Sequence, residues 1–427
     1  VSRLSGTLYA VEQKERISPE GYVSKSHQLR PVDWKYEKIG KYLVPYDEFS
    51  NDTKAYPLAT SSRQGLMLQS EYYIDQRYEE TTGGFHVVPV DYVTYRHMSD
   101  DDIFRFNLNK IGQPVLVSPE YPVFTTTGGL NQDLLVAYLN GMKEFQAFCS
   151  AQKKGSTRTR MYFHRLCEFT IPIPSITEQQ KIAGILATCD RMIELKQSKI
   201  AELNKLKQVC LLEMFPQKGQ TIPKRRFPGF SAPWEQRKLG ELADIVGGGT
   251  PSTDVSDFWD GDIDWYAPAE IAEQIYLTSS QRKITEEGYN HSSAKMLPIG
   301  TVLFTSRAGI GKTAILTRKG CTNQGFQSIV PHKGELDSYF IFSRTEELKQ
   351  YGETVGAGST FVEVSGKQMA NMELMMPKTM AEQKIIGQYF ANLDRLIILH
   401  QRELAEVGKY KKALMQLLLT GLVRVNA

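Results

Sequence analysis

Two stretches of this chain repeat apolar residues at alternating steps of four and three, the spacing that lines them along one stripe of a helix. From Ile182 the steps land on Leu186, Cys189, Ile193, Lys196, Ile200, Leu203, Lys207, Cys210 and Met214. From Ile386 they land on Phe390, Leu393, Ile397, His400, Leu404, Val407, Lys411, Leu414 and Leu418. Eight of ten positions are apolar in each run, and the polar exceptions fall at the same two steps, Lys196 with His400 and Lys207 with Lys411. Each run is a coiled-coil seam, and polar seam residues commonly fix register. The first run, Thr177 to Met214, holds no proline and one glycine, Gly184. Thr177 and Gln180 predict a capping box, and Pro216 and Gly219 predict the stop. The two helices are expected to pack on each other, antiparallel; the alternative is that each packs on some other chain.

Between these helices the period changes. Short β-prone runs lie between Gly and Pro turns at His86 to Tyr95, Val115 to Val117, Val123 to Thr127, Thr301 to Thr305 and Ser328 to Val330. They predict mixed modules of strands and helices.

The chain is also written twice. Trp34, Lys38, Ile39 and Gly40 return as Trp234, Lys238, Leu239 and Gly240, and Gly155-Ser156-Thr157 returns as Gly358-Ser359-Thr360. Glu178, Gln179, Ile182, Asp190-Arg191, Lys205 and Lys207 return as Glu382, Gln383, Ile386, Asp394-Arg395, Lys409 and Lys411. From Val44 to Ser150, by contrast, nothing corresponds convincingly to Ile245 to Tyr351. Each half is a variable module followed by a constant helix. The expected fold is therefore α+β: two mixed α/β modules separated by two long antiparallel coiled-coil helices, in a pseudo-two-fold tandem duplication. The expected boundaries are a first module over 1–176, a helix over 177–216, a linker over 217–233, a second module over 234–379 and a helix over 380–421. A helix of roughly 38 residues makes a rod of about 57 Å. Two dissimilar readers joined by such a rod would measure a gap between two half-sites, and a turn of B-DNA is about 34–36 Å.

A length of 427 residues suits more than one core, and 41% hydrophobic with 23% charged residues is ordinary for a folded chain. No run approaches the ~18 apolar residues of a membrane span. Val1 to Ala10 lacks the layout of a secretory signal, and the absent initiator Met suggests a few residues trimmed or omitted ahead of Val1. The five cysteines are scattered without a C-x-x-C pair, which argues against a disulfide framework or thiolate metal site and favours a reducing cytoplasm.

A net charge of +3 says less than its distribution. Lys153, Lys154, Arg158 and Arg160 fall in an acid-free window, and Lys224-Arg225-Arg226 form a second basic knot. Such clusters suit phosphates, the competing reading being a solvated loop. Arg63 and Gln64, Arg96 and His97, Arg307, and Asn323 with Gln324 are candidates for base edges, where Arg matches guanine and Asn or Gln matches adenine. Lys312 joins them from the run Gly309-Ile310-Gly311-Lys312-Thr313, which mimics a phosphate-binding loop but has Ser306 where that loop needs glycine. Glu194-Leu195-Lys196 fits the end of a nuclease motif only superficially, being mid-helix, and an N-P-P-[YF] methyltransferase motif is absent. An enzyme is thus the weaker reading. A coiled-coil scaffold unrelated to DNA explains the helices but not two divergent modules with basic loops.

Several stretches resemble the specificity subunits of type I restriction-modification systems. They are Thr177-Glu178-Gln179-Gln180-Lys181-Ile182 and Ala381-Glu382-Gln383-Lys384-Ile385, each after a proline-containing strand end (Pro172, Pro174; Pro377). Next come Arg226-Phe227-Pro228-Gly229-Phe230 and Trp234-Glu235-Gln236-Arg237-Lys238-Leu239-Gly240-Glu241. Gly248-Gly249-Thr250-Pro251-Ser252, Phe258-Trp259-Asp260-Gly261-Asp262-Ile263 and Thr322-Asn323-Gln324-Gly325 complete the set. The resemblance implies two target-recognition domains, each binding one half of an interrupted site in double-stranded DNA. It implies partners, namely two adenine methyltransferase subunits and motor-nuclease subunits. It also implies no cofactor in this chain, S-adenosylmethionine belonging to the methyltransferase, and no membrane. The first module lacks the Gly-Gly-Thr-Pro motif, and residues 1–30 match little of the pattern.

Overall fold

The structure is a computed structural model, and it describes residues 22–25, 28–72, 84–153, 158–271, 274–307, 309–357 and 363–425. The chain forms two compact units, one from Val1–Leu195 with Glu403–Ala427 and one from Lys196–Arg402. Both are α+β, and the two long helices, Ile176–Glu213 and Met380–Leu419, each contribute one part to each unit.

The first unit is built on a four-stranded antiparallel sheet in the order Phe106–Leu108, Val93–Tyr95, Val123–Thr126, Leu43–Pro45. A second antiparallel sheet orders Val115–Val117, Phe85–Val88 and Phe49–Ser50. The run expected as one strand from His86 to Tyr95 is thus two strands. Pro89 and Asp91 break it: Tyr92 N–H closes a turn on the Pro89 carbonyl, and Asp91 takes a φ of 63°. Tyr95, Phe106, Phe124 and Phe145 fill the core.

The second unit has a five-stranded sheet in the order Ala243–Gly247, Gln327–Pro331, Val302–Phe304, Thr313–Leu316, Tyr276–Leu277. Beside it lie Arg282–Ile284, Trp259–Tyr266 and Cys321–Thr322. Its core gathers Trp234, Phe304, Phe340 and Phe390.

The duplicated motifs carry the same jobs in both units. Lys35–Lys38 pairs with Thr170–Ile173, and Glu235–Lys238 with Glu373–Met376, so an early strand of each half is clamped to the strand that enters the helix. Gly40 and Gly240 close these clamps. A Cβ there would lie 2.7 Å from Cys167 Cβ in one and 2.9 Å from Ala370 Cβ in the other, closer than side chains pack. The Trp34 indole donates to Glu178 and the Trp234 indole to Glu382, each at 3.2 Å. Arg424 grips Glu178 with two nitrogens at 2.8 Å, and Arg226 grips Glu382 at 2.6 and 2.8 Å. Gln179 accepts from the backbone of Asn131 and Gln383 from that of Asp337, each the N-cap of an earlier helix in its own unit. The Glu-Gln pair at each helix opening therefore bolts the helix to its own module.

The first helix is capped two residues ahead of the expected Thr177, whereas the second starts at the expected residue 380. Ser175 Oγ accepts from Glu178 N–H, and Thr379 Oγ1 accepts from Glu382 N–H, each at 3.3 Å. The caps are Ser175 and Thr379, not Thr177, because Ile176 and Met380 already sit in the helix. All twenty seam positions are buried or half-buried, whereas between Asp190 and Val209 every other residue of the first helix is exposed. The packing is antiparallel. In the first unit Lys411 Nζ reaches Asp190; in the second, Lys207 Nζ reaches Asp394 at 2.6 Å and Lys196 Nζ lies 3.5 Å from His400 Nδ1. The polar seam residues thus sit on duplicated partners, which fits a role in register. No helix among the described residues is long and apolar enough to cross a membrane.

Candidate nucleic-acid interface

In the first unit the hairpin Ala59–Ser62/Gly65–Leu68 turns through Arg63 and Gln64. Gln64 N–H is held by Ser62 Oγ at 3.1 Å, which leaves its amide exposed at the tip. Arg63, Gln64 and Arg96 line one cleft of about 340 Å³ with Arg105 and Ser99. Candidates from two separate places in the sequence are therefore neighbours.

The basic window needs a correction. Its expected role rested on an acid-free sequence, and the tertiary structure supplies the acids. The run Asp100-Asp101-Asp102 faces it, with Arg158 Nε 2.7 Å from Asp100 and Lys153 Nζ 3.8 Å from Asp102, while Arg63 pairs with Asp101. The Arg63 guanidinium beside it holds the Asp101 carboxyl below its usual range. Arg160 has no carboxylate partner among the described residues; its Nη1 lies 3.3 Å from the Tyr162 hydroxyl. Lys154 lies outside the described residues. The acidic run was visible in the sequence, but its pairing needed the strand contact of Met98–Ser99 with Thr159–Arg160.

His97 is buried, 8% exposed, and burial pushes its ring below the usual imidazole range. Its ring stacks on Tyr162, which stacks in turn on His164.

In the second unit the candidates converge on one edge. Gly249 N–H donates to the Thr322 carbonyl at 2.8 Å, and the Trp265 indole donates to the Gly249 carbonyl at 2.9 Å. A Cβ on Gly248 would lie 2.0 Å from the Asn323 carbonyl oxygen, so the Gly-Gly-Thr-Pro loop and the Thr-Asn-Gln-Gly turn are two sides of one contact. Asn323 is spent on that turn, its Oδ1 accepting from Gly325 N–H at 2.8 Å. Gln324 is exposed and Thr250 Oγ1 donates to its Oε1. Ser306 N–H donates to the Gly325 carbonyl, which sets Arg307 beside this turn, 4.0 Å from Glu363. Lys312 is exposed at the end of the Gly309–Lys312 loop. That loop runs into the strand Thr313–Leu316 rather than into a helix, so it cannot cradle a phosphate as a nucleotide-binding loop does. Sequence reasoning missed Arg282, whose guanidinium lies 3.6 Å from the Trp259 ring centroid; the signal was the Trp-rich strand beside it.

The second basic knot is also corrected. Lys224 and Arg225 both pair with Glu213 at 2.9 Å, and Arg226 is buried on Glu382, so none of the three is a free phosphate ligand. Among the described residues no group of His, Cys, Asp and Glu could hold a metal ion. The cysteines are free, and burial pushes the Cys149 and Cys321 thiols up to about 12.

A family model described as the type I restriction modification DNA specificity domain matches residues 109–205 and 232–409. The chain is 36% identical over 165 residues to the type I restriction enzyme MjaIX specificity subunit of Methanocaldococcus jannaschii, an alignment spanning 38% of each chain. It is 26% identical over 395 residues to the EcoR124I/EcoR124II specificity subunit of Escherichia coli, covering 87% of this chain and 89% of that one. The crystal structure of a type I restriction-modification S subunit from M. genitalium superposes with a TM-score of 0.60 at 14% identity, over 91% of this chain and 96% of the other. That likeness is one of fold.

Proposed function

Since the chain belongs to the type I restriction-modification DNA specificity family, we propose that it reads an interrupted DNA site, one half with the module of each unit. In the same reading its long helices present a platform for two methyltransferase subunits and for motor-nuclease subunits. The observation that supports this most is sameness and difference in one chain. The Trp, Glu, Gln and Arg contacts that hold each helix to its module are duplicated, while the sheets they support differ in strand order and length. Duplicated attachment with divergent surfaces suits two half-sites of different sequence.

Exchange of residues 44–165 for the first module of another family member is the direct test. One half of the methylated site should change while the other half and the gap persist. If both halves change together, the modules do not read separately.

The chain itself supplies contacts and no chemistry in this reading. S-adenosylmethionine is bound by the methyltransferase partner. The purified chain should therefore transfer no methyl group to DNA, and transfer should appear when a methyltransferase subunit is added. Methylation by the chain alone at high purity would refute this.

A further inference from the structure

We infer that the cleft beside His97 in the first unit reads a single G·C base pair, with Arg160 addressing the guanine and Glu120 the cytosine. The inference rests on the proposed reading of the first module as a DNA reader and names a base-pair subsite within it. The cleft, about 350 Å³, is lined by His97, Met98, Glu120, Pro122, Arg160 and Tyr162.

Its backbone is fixed on both sides. Arg160 lies in register with Met98, and Met161 N–H donates to the His97 carbonyl at 2.8 Å, so the guanidinium springs from a paired strand. Glu120 projects from the turn that Tyr121 N–H closes on the Ser118 carbonyl at 3.0 Å. Tyr162, 43% exposed, lines the same cleft; its ring stacks on His97 and on His164, and its hydroxyl lies at Arg160.

Two features separate this cleft from a phosphate contact. Of the described cations in the basic window, Arg160 alone has no carboxylate partner among the described residues, yet it shares its cleft with the exposed carboxylate of Glu120. A phosphate would be repelled by Glu120. A G·C pair offers the matching opposite polarity in the major groove, with the acceptors O6 and N7 on guanine for a forked Arg and the N4 amino donor on cytosine for a carboxylate. The second feature is His97. Its buried ring lines the cleft wall beside Glu120, whose charge and backbone both act on it, so the ring ties the Glu120 turn to the strand that carries Arg160.

The test selects binding sites for the full chain from a random pool of duplex DNA and compares Arg160→Lys and Glu120→Ala with the parent. Both side chains are exposed, so unfolding temperatures should match the parent. The parent should enrich a two-part motif with a fixed G·C pair in the half read by the first unit. Arg160→Lys keeps the charge and loses the fork. It should bind with little loss and lose a preference on the order of ten-fold or more at that one pair. Glu120→Ala should relax the same pair without weakening binding. An unchanged motif, a uniform loss over all sequences, or relaxation at two separate pairs would overturn the subsite. Should Arg160→Lys fail to fold, Glu120→Ala decides alone by the same readings. Failure of the parent to enrich any two-part motif would instead overturn the half-site reading itself, and this subsite with it.

Discussion

Replacing Glu382 with Ala is expected to destabilise the protein by about 3–5 kcal/mol, the scale for removing one partner of a buried ion pair. Glu382 is 2% exposed, grips Arg226 through both oxygens and accepts from the Trp234 indole. Without it the Arg226 side chain, 11% exposed, keeps a buried charge, and its Nη1 already lacks a partner among the described residues. The duplicated Glu178 provides an internal control. Its partner Arg424 is 29% exposed and also holds Asp33 through two nitrogens at 2.8 Å. After Glu178→Ala that guanidinium retains a carboxylate and water, so the loss should be smaller, about 1–3 kcal/mol. Chemical denaturation followed by tryptophan fluorescence measures both. Equal losses would show that Asp33 does not relieve Arg424, and a Glu382→Ala loss below about 1 kcal/mol would show that the duplicated grip is not what holds the helix to its module.

Lengthening a long helix by four residues should lengthen the gap in the DNA site and leave both half-sites unchanged. The proposed division of labour makes the helices the ruler between the two readers. Four residues add about one turn, roughly 6 Å of rise, with the seam facing nearly preserved. At about 3.4 Å per base pair along one strand this is one or two base pairs. The insertion belongs after Gln197, which is exposed and clear of the Lys207–Asp394 and Asp190–Lys411 pairs. Around it the seam residues Ile193, Lys196 and Ile200 are only half-buried, whereas Leu203 and Cys210 are buried, so an insertion beside the Lys196–His400 contact disturbs less packing than one further on. Mapping methylated adenines gives the gap directly. An active complex with an unaltered gap would show that the helices do not set the distance.

By itself the sequence determined whatever depends on period and repetition. The four-three spacing located both helices and their seams, since a helical stripe is a local geometric property. The duplication showed which parts are shared, and the polar seam positions Lys196, His400, Lys207 and Lys411 were identified before their partners were known. The tertiary structure decided what depends on partners distant in the chain. It set Asp100, Asp101 and Asp102 against Arg158, Arg63 and Lys153, and so reversed the meaning of an acid-free window. It buried Arg226, which reads in sequence like any surface cation, because Glu382 lies 156 residues away. It moved the cap of the first helix from Thr177 to Ser175, whose hydroxyl reaches the N–H three residues on. It also joined Glu120 to Arg160 across one cleft. Charge is a property of a residue, but what a charge does depends on its nearest opposite charge, and only the fold brings those two together.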